Sequence, residues 1–283
     1  MDFVIENNII TRCTNKELWE LKIPDGVVAI DKYVFQNCLD LTSVELPKTL
    51  KKIGDYAFDG CNDLETVIGF RNIEVIGECA FGNCSSLKQI DFGDKIHYLP
   101  NGTFHGCITL KKLEFPKNIA YIGCECFKDC MGVEEIVMND VMEIDNNAFE
   151  NCNSVLTVAF PENLLRIAKN AFSFCDKLKN VIFKNNTTSI DEKAFENTIK
   201  LIFRTAQNNS TAYNFAVANK FVFIPTIIKP ECREVTNQEY ETLCKNGIPL
   251  KAKVADDNNM IIVFDRSFEE KVNKLIGSGT NGK

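Results

Sequence analysis

Apolar residues between positions 24 and 204 fall in one arrangement that is repeated eight times. Each copy is anchored by a Phe: Phe35, Phe58, Phe81, Phe104, Phe127, Phe149, Phe172 and Phe195, spaced by 23 residues except for 22 between Phe127 and Phe149. Three residues beyond the anchor stands Cys38, Cys61, Cys84, Cys107, Cys130, Cys152 or Cys175, and Thr198 in the eighth copy. A fixed period of this size marks a solenoid, whose coils bury their apolar sides only against one another.

The pattern predicts three inward sides per coil. On the first, Leu41, Val44 and Leu46 alternate with polar residues as a half-buried strand does, and Leu87, Ile90 and Phe92, Leu110, Leu113 and Phe115, and their equivalents as far as Phe183 repeat the motif. The second is the aliphatic residue five before each anchor, from Ile30 to Ile190. The third is a helical turn bearing the Phe. A small residue such as Ala57 or Ala148 precedes the anchor, and two after it comes a residue tolerant of left-handed backbone, such as Asn37, Gly60 or Asn83.

The ends break the period. Residues 1–23 read as an N-terminal cap, with strands at Phe3-Val4-Ile5 and Asn8-Ile9-Ile10-Thr11 and an inward alternation of Trp19, Leu21 and Ile23. A solenoid needs such a cover because its terminal core would otherwise face water. Residues 205–225 read as a closing helix and strand. Residues 226–283 read as a small appended α+β element ending in a flexible tail from Gly277. Its expected parts are a helix opened by Thr236-Asn237-Gln238-Glu239 and closed by Gly247, strands at Leu250–Val254 and Met260–Phe264, and a second helix from Ser267 to Ile276.

The string Cys-x-x-Leu-x-x-Val-x-Leu-Pro-x-x-Leu-x-x-Ile-Gly-x-x-Ala-Phe-x-x-Cys, carried almost complete by residues 38–61, closely resembles the leucine-rich repeats of the BspA type. The resemblance covers about residues 3–225. It implies a curved leucine-rich repeat solenoid, β-rich α/β, of about eight repeats with a ladder of strands on its concave face. It also implies binding to other proteins without catalysis, and in many relatives a surface-exposed or secreted life as adhesins or structural repeat proteins.

Charge and composition narrow the partners. A net charge of −7 with no Lys/Arg run argues against a nucleic-acid backbone. Apolar runs fall far short of the ~20 residues that span a bilayer. The start Met1-Asp2-Phe3-Val4-Ile5-Glu6 lacks a secretory signal, so a cytoplasmic location is expected, with the cell surface as the alternative. The seven repeat cysteines would form a column in which no member has a unique partner, which reads as reduced, buried packing suited to a reducing compartment.

No constellation for chemistry stands out, and no cofactor is expected. Cys124-x-Cys126-x-x-x-Cys130 lacks the second pair that zinc requires. Cys79 and Cys124 take outward positions and read as the more reactive thiols, with nothing basic beside either. His97 and His105 read as outward, solvated residues without a nucleophile to serve. No Gly-rich phosphate loop or Gly-x-Ser-x-Gly elbow occurs, and a non-enzyme is expected.

The informative surface is the outward side of the strands. Glu45, Ile68, Asp91, Glu114, Val137, Ala159 and Ile182 follow the central Val or Ile, and Lys112 and Glu135 are among the residues that precede it. The first half is charged, and the second carries the apolar row Val137-Ala159-Ile182. That row is either an interface for another protein or a seat for the C-terminal element. A protein-binding scaffold is the expected function, with an acidic first half steering the encounter.

Overall fold

The computed structural model describes residues 2–185, 187–198, 201–205, 210–225, 231–236, 238, 241–242, 245, 251–254 and 259–264. It divides into two units, Met1–Ile224 and Pro225–Lys283.

The first unit is a β-solenoid with one buried core. Its edges follow the three inward sides. The long-strand edge stacks Glu20–Lys22, Ser43–Glu45 and Thr66–Ile68 in one parallel sheet, and Lys112–Phe115, Glu135–Met138, Thr157–Phe160, Asn180–Phe183 and Ile202–Thr205 in another, with Val222–Pro225 at the end of that second sheet. On the short-strand edge, the antiparallel cap hairpin Phe3–Glu6 and Ile9–Cys13 leads into Ala29–Ile30, Lys52–Ile53 and Val75–Ile76; a second sheet runs from Tyr98–Leu99 to Ser189–Ile190. Asn7 and Asn8, both at positive φ (52° and 64°), make the tight turn of the hairpin.

The turn edge carries the anchors. Their rings stack from Phe35 to Phe195 with centroids 5.0–5.7 Å apart and planes within 13° of parallel. Each fully buried Phe contributes about 1.5–3 kcal/mol of transfer free energy. The turn is tighter than the expected helical one. It enters and leaves through left-handed residues, Tyr33 (φ 62°) and Asn37 (φ 57°) in the first coil. The seventh coil holds the exposed Phe174 at φ 55°, a conformation that Asn or Gly adopts with less strain.

Beneath the rings the thiols are donors. Cys61, Cys84, Cys107, Cys130, Cys152 and Cys175 each donate to the carbonyl of the anchor Phe one coil earlier, at 3.1–3.3 Å. Thr198 Oγ1 donates to the Phe172 carbonyl at 3.0 Å, so the hydroxyl that replaces the eighth thiol keeps the same bond.

Both strand edges are interrupted at one level of the stack. In the second coil Gly69 (φ 89°) stands where the first coil has Leu46, and a Cβ there would lie 2.3 Å from the Leu46 carbonyl oxygen. The strand therefore stops at Ile68. A 3-10 turn, Phe70–Asn72, swings Phe70 into the core against Phe81, Phe92 and Phe104. The expected third strand, with Leu87, Ile90 and Phe92 inward, does not form. Its residues keep their sidedness, with Ile90 only half-buried, but among the described residues Gln89–Phe92 make no backbone hydrogen bond. On the short-strand edge, Gly54 N donates to the Ile30 carbonyl (2.9 Å) and Gly123 N to that of Leu99 (2.8 Å), whereas Pro100, at the equivalent place, has no N–H to give. Among the described residues, the backbone hydrogen bonds that cross this seam lie on the turn edge, where the Cys79, Phe81 and Asn83 amides bond to the Asn101, Thr103 and His105 carbonyls at 3.0, 2.9 and 2.6 Å.

One expectation for the N-terminal cap is corrected. Leu18, not Trp19, turns inward; Trp19 is 71% exposed. Leu18 occupies the place of Leu41 one coil on, and the Trp19 carbonyl accepts from both Thr42 N and Thr42 Oγ1 at 2.8 Å. At the far end Ser210 caps the helix Thr211–Ala218, accepting from Tyr213 N at 3.1 Å.

The second unit contains a three-stranded antiparallel sheet, with Asn259–Phe264 between Glu231–Thr236 and Lys251–Val254. The strand Glu231–Thr236 was not expected from sequence. The capping box at 236–239 and the helix from Ser267 lie largely outside the described residues.

Candidate functional site on the long-strand face

Strand register places the outward side chains in rows. Glu45 pairs with Ile68, Glu114 with Val137, Val137 with Ala159, Ala159 with Ile182, and Ile182 with Arg204. A second row pairs Lys112 with Glu135 and Thr157 with Asn180. The expected surface residues are thus brought to one face, although Asp91 reaches it from the seam and not from a strand. Ile68 is 61% exposed and Ala159 is exposed, whereas Val137 and Ile182 are half-buried.

The expected acidic field is not what the structure holds. Lys22 lies 2.9 Å from Glu45, Arg71 3.3 Å from Asp91, and Lys112 3.1 Å from Glu114 and 3.5 Å from Glu135. The carboxylates Glu45, Asp91, Glu114 and Glu135 each have a cation at hand, so the face is zwitterionic and its long-range steering weak. Sequence reasoning missed Arg71, which enters through the 3-10 turn, and Arg204, which bounds the apolar row and donates through Nε to Asn180 Oδ1 at 3.3 Å.

The seam opens this face into a groove of about 580 Å³. Ile90, Phe92 and Pro116 supply its apolar lining, Arg71, Asp91, Lys112 and Glu114 its charges, and Gln89 and Asn139 its amides. Gly93 closes the approach to Arg71: a Cβ on it would lie 2.1 Å from the Arg71 carbonyl oxygen. An apolar floor, paired charges and backbone groups without partners suit an extended peptide segment more than a small metabolite.

The other candidates are placed as follows. Cys126 and Cys130 are buried, and Cys124 is half-buried. Among the described residues, no group of three or more His, Cys, Asp or Glu is placed to hold a metal ion. Cys79 and Cys124 do not qualify as activated thiols. Burial pushes both up, and nearby carboxylates (Asp59 and Glu78 for Cys79, Glu125 and Asp145 for Cys124) add to it. His97 is exposed, with Nδ1 3.3 Å from the Asn118 carbonyl. His105 departs from the solvated reading: it is half-buried, Nε2 lies 3.9 Å from Asp129, and Nδ1 is buried with no partner among the described residues. No described helix is long and apolar enough to cross a membrane.

Comparison with known proteins agrees with this geometry. The family described as BspA type leucine rich repeat region matches residues 5–134 and 98–220, in six copies. A leucine-rich repeat protein of T. pallidum, TpLRR, is 28% identical; the match covers 60% of this chain and 82% of that one, with a TM-score of 0.55. A leucine-rich repeat protein of Eubacterium ventriosum is 25% identical over 61% of this chain and 50% of that one, with a TM-score of 0.53. No curated protein matches. A period of 23 residues, an unbroken stack of anchor rings and a family match across most of the solenoid lead to one assignment: the chain belongs to the BspA-type leucine-rich repeat family.

Proposed function

We propose that the chain is a non-catalytic scaffold that binds another protein on its long-strand face. The observation that carries this reading is the apolar row Val137-Ala159-Ile182, held at outward positions by strand register and bounded by Glu114 and Arg204. Apolar residues facing out in a contiguous row mark interfaces more often than they mark idle surface. The neighbouring groove adds partnerless backbone groups, and the paired charges supply specificity at short range. The column of unpaired thiols favours a reducing compartment for such a scaffold.

Affinity capture from the source cell tests this with three proteins: wild type, Val137→Glu/Ile182→Glu, and Leu165→Glu, whose exposed site lies on the short-strand edge. The reading requires a partner retained by wild type and Leu165→Glu and lost by the double variant, with all three showing the same circular dichroism. Retention by the folded double variant would remove the row from the interface.

A further inference from the structure

The long-strand edge begins at an open end. Glu20–Lys22 pairs with Ser43–Glu45 on one side, and among the described residues no strand lies on its other side. The cap hairpin does not cover it, because Phe3–Glu6 pairs with Ile9–Cys13 on the short-strand edge. In a parallel ladder alternate residues turn their N–H and C=O to opposite neighbours. The Trp19 carbonyl accepts from Thr42 N at 2.8 Å, and Ile23 N donates to the Glu45 carbonyl at 3.1 Å. Trp19, Leu21 and Ile23 thus face the second coil, and the backbone groups of Glu20 and Lys22 point away from the stack.

An open edge is a template for another strand unless its side chains deter pairing. Charges of one sign would repel a second copy of the chain. Here the signs alternate: Glu20 and Lys22 are exposed on either side of the buried Leu21. When two copies run antiparallel about Leu21, Glu20 stands opposite the partner's Lys22, and Lys22 opposite the partner's Glu20. These are also the residues whose free backbone groups meet, so each pair exchanges both N–H···O bonds and brings opposite charges together. Lys22, 2.9 Å from Glu45 in its own chain, then lies between two carboxylates. Trp19 comes opposite the partner's Ile23, and its indole, 71% exposed in one copy, reaches the partner's exposed Pro24.

We propose that Glu20–Lys22 is a self-association edge, at which two copies of the chain join antiparallel into one continuous sheet. The contact is isologous: the same residues serve on both sides, and each copy's edge is used up when it forms, so association stops at a dimer. The edge is separate from the apolar row Val137-Ala159-Ile182 and does not depend on the binding role proposed for that row. What selects a second copy over an unrelated strand is the Glu-Leu-Lys order, which is complementary to itself when reversed.

The test is sedimentation equilibrium of the full chain over a range of concentrations, with the emission of Trp19, the sole tryptophan, read on the same samples. Wild type should show a monomer–dimer equilibrium, and the emission should shift to the blue as the dimer forms. Glu20→Lys and Lys22→Glu each set like charges opposite one another, and each should weaken association by about tenfold. Mixed in equal amounts, the two variants set every Lys against a Glu, so the dimer and the blue shift should return as a heterodimer. A monomer at every concentration with unchanged Trp19 emission would overturn the proposal. So would a dimer as strong in both variants as in wild type, or variants that stay apart when mixed.

Discussion

The turn edge and the two strand edges of this solenoid are built from the same coils, yet among the described residues backbone pairing runs unbroken across the seam on the turn edge alone. There, one ring stacks on the next, one thiol or hydroxyl bonds to the carbonyl below, and one left-handed residue ends each turn. The strand edges depend on plain backbone pairing, and that fails wherever one residue removes a donor or diverts the chain. Pro100 does the first, Gly69 with Phe70 the second. The array is therefore two stacks joined by their turn edges and by the cluster of Phe70, Phe81, Phe92 and Phe104. The gap left on the long-strand side is the groove that the proposed binding face contains.

The comparison breaks most severely at Phe104, which meets Phe70, Phe81, Phe92 and Phe127 at the seam. Phe104→Ala should cost ~3–5 kcal/mol and split chemical unfolding into two transitions. One sharp transition at the wild-type midpoint would mean that the strand edges hold the stack after all. Next comes Gly93→Ala, which sets a methyl against the Arg71 carbonyl and should cost roughly 1–3 kcal/mol in a thermal melt. Removing one donor from the continuous edge is gentler: Cys107→Ala should cost about 1 kcal/mol by taking away the thiol donor to the Phe81 carbonyl, which keeps the longer bond from Cys84 N (3.4 Å), and Cys107→Ser should recover part of it, as Thr198 does by nature.

The smallest effect concerns acid. Burial raises the Asp145 carboxyl, but the Tyr121 hydroxyl (2.5 Å from Oδ2), the Asn146 amide and Arg166 outweigh it and hold it below its ordinary value. A depressed carboxyl stabilises the fold above its unfolded pKa of about 3.9, and that stability is lost as pH falls through the folded value. Asp145→Asn should therefore flatten the acid limb of the stability profile by less than about 1 kcal/mol while leaving seam cooperativity intact.

Much of this was legible because the repeat states it eight times. The anchors, the thiol column and the outward rows all follow from one alignment. The seam was not, since Gly69-Phe70 and Pro100 leave the period of 23 unchanged and periodicity is blind to them. The signals were local: a second coil with no apolar residue in the place of Leu46, and a proline where neighbouring coils have glycine. Trp19 misled because a lone Trp beside an alternating run reads as core, whereas Leu18 holds the register position.

Amide hydrogen exchange, read residue by residue, tests the difference between the edges most directly. The amides of Gln89, Ile90, Asp91 and Phe92 should exchange orders of magnitude faster than those of Leu113, Ile136 and Val158 in the long ladder, and faster than the turn amides of Phe81 and Asn83 in their own coil. Protection of Gln89–Phe92 equal to that of Leu113 would show that the strand edge runs unbroken, and the seam with its groove would be gone.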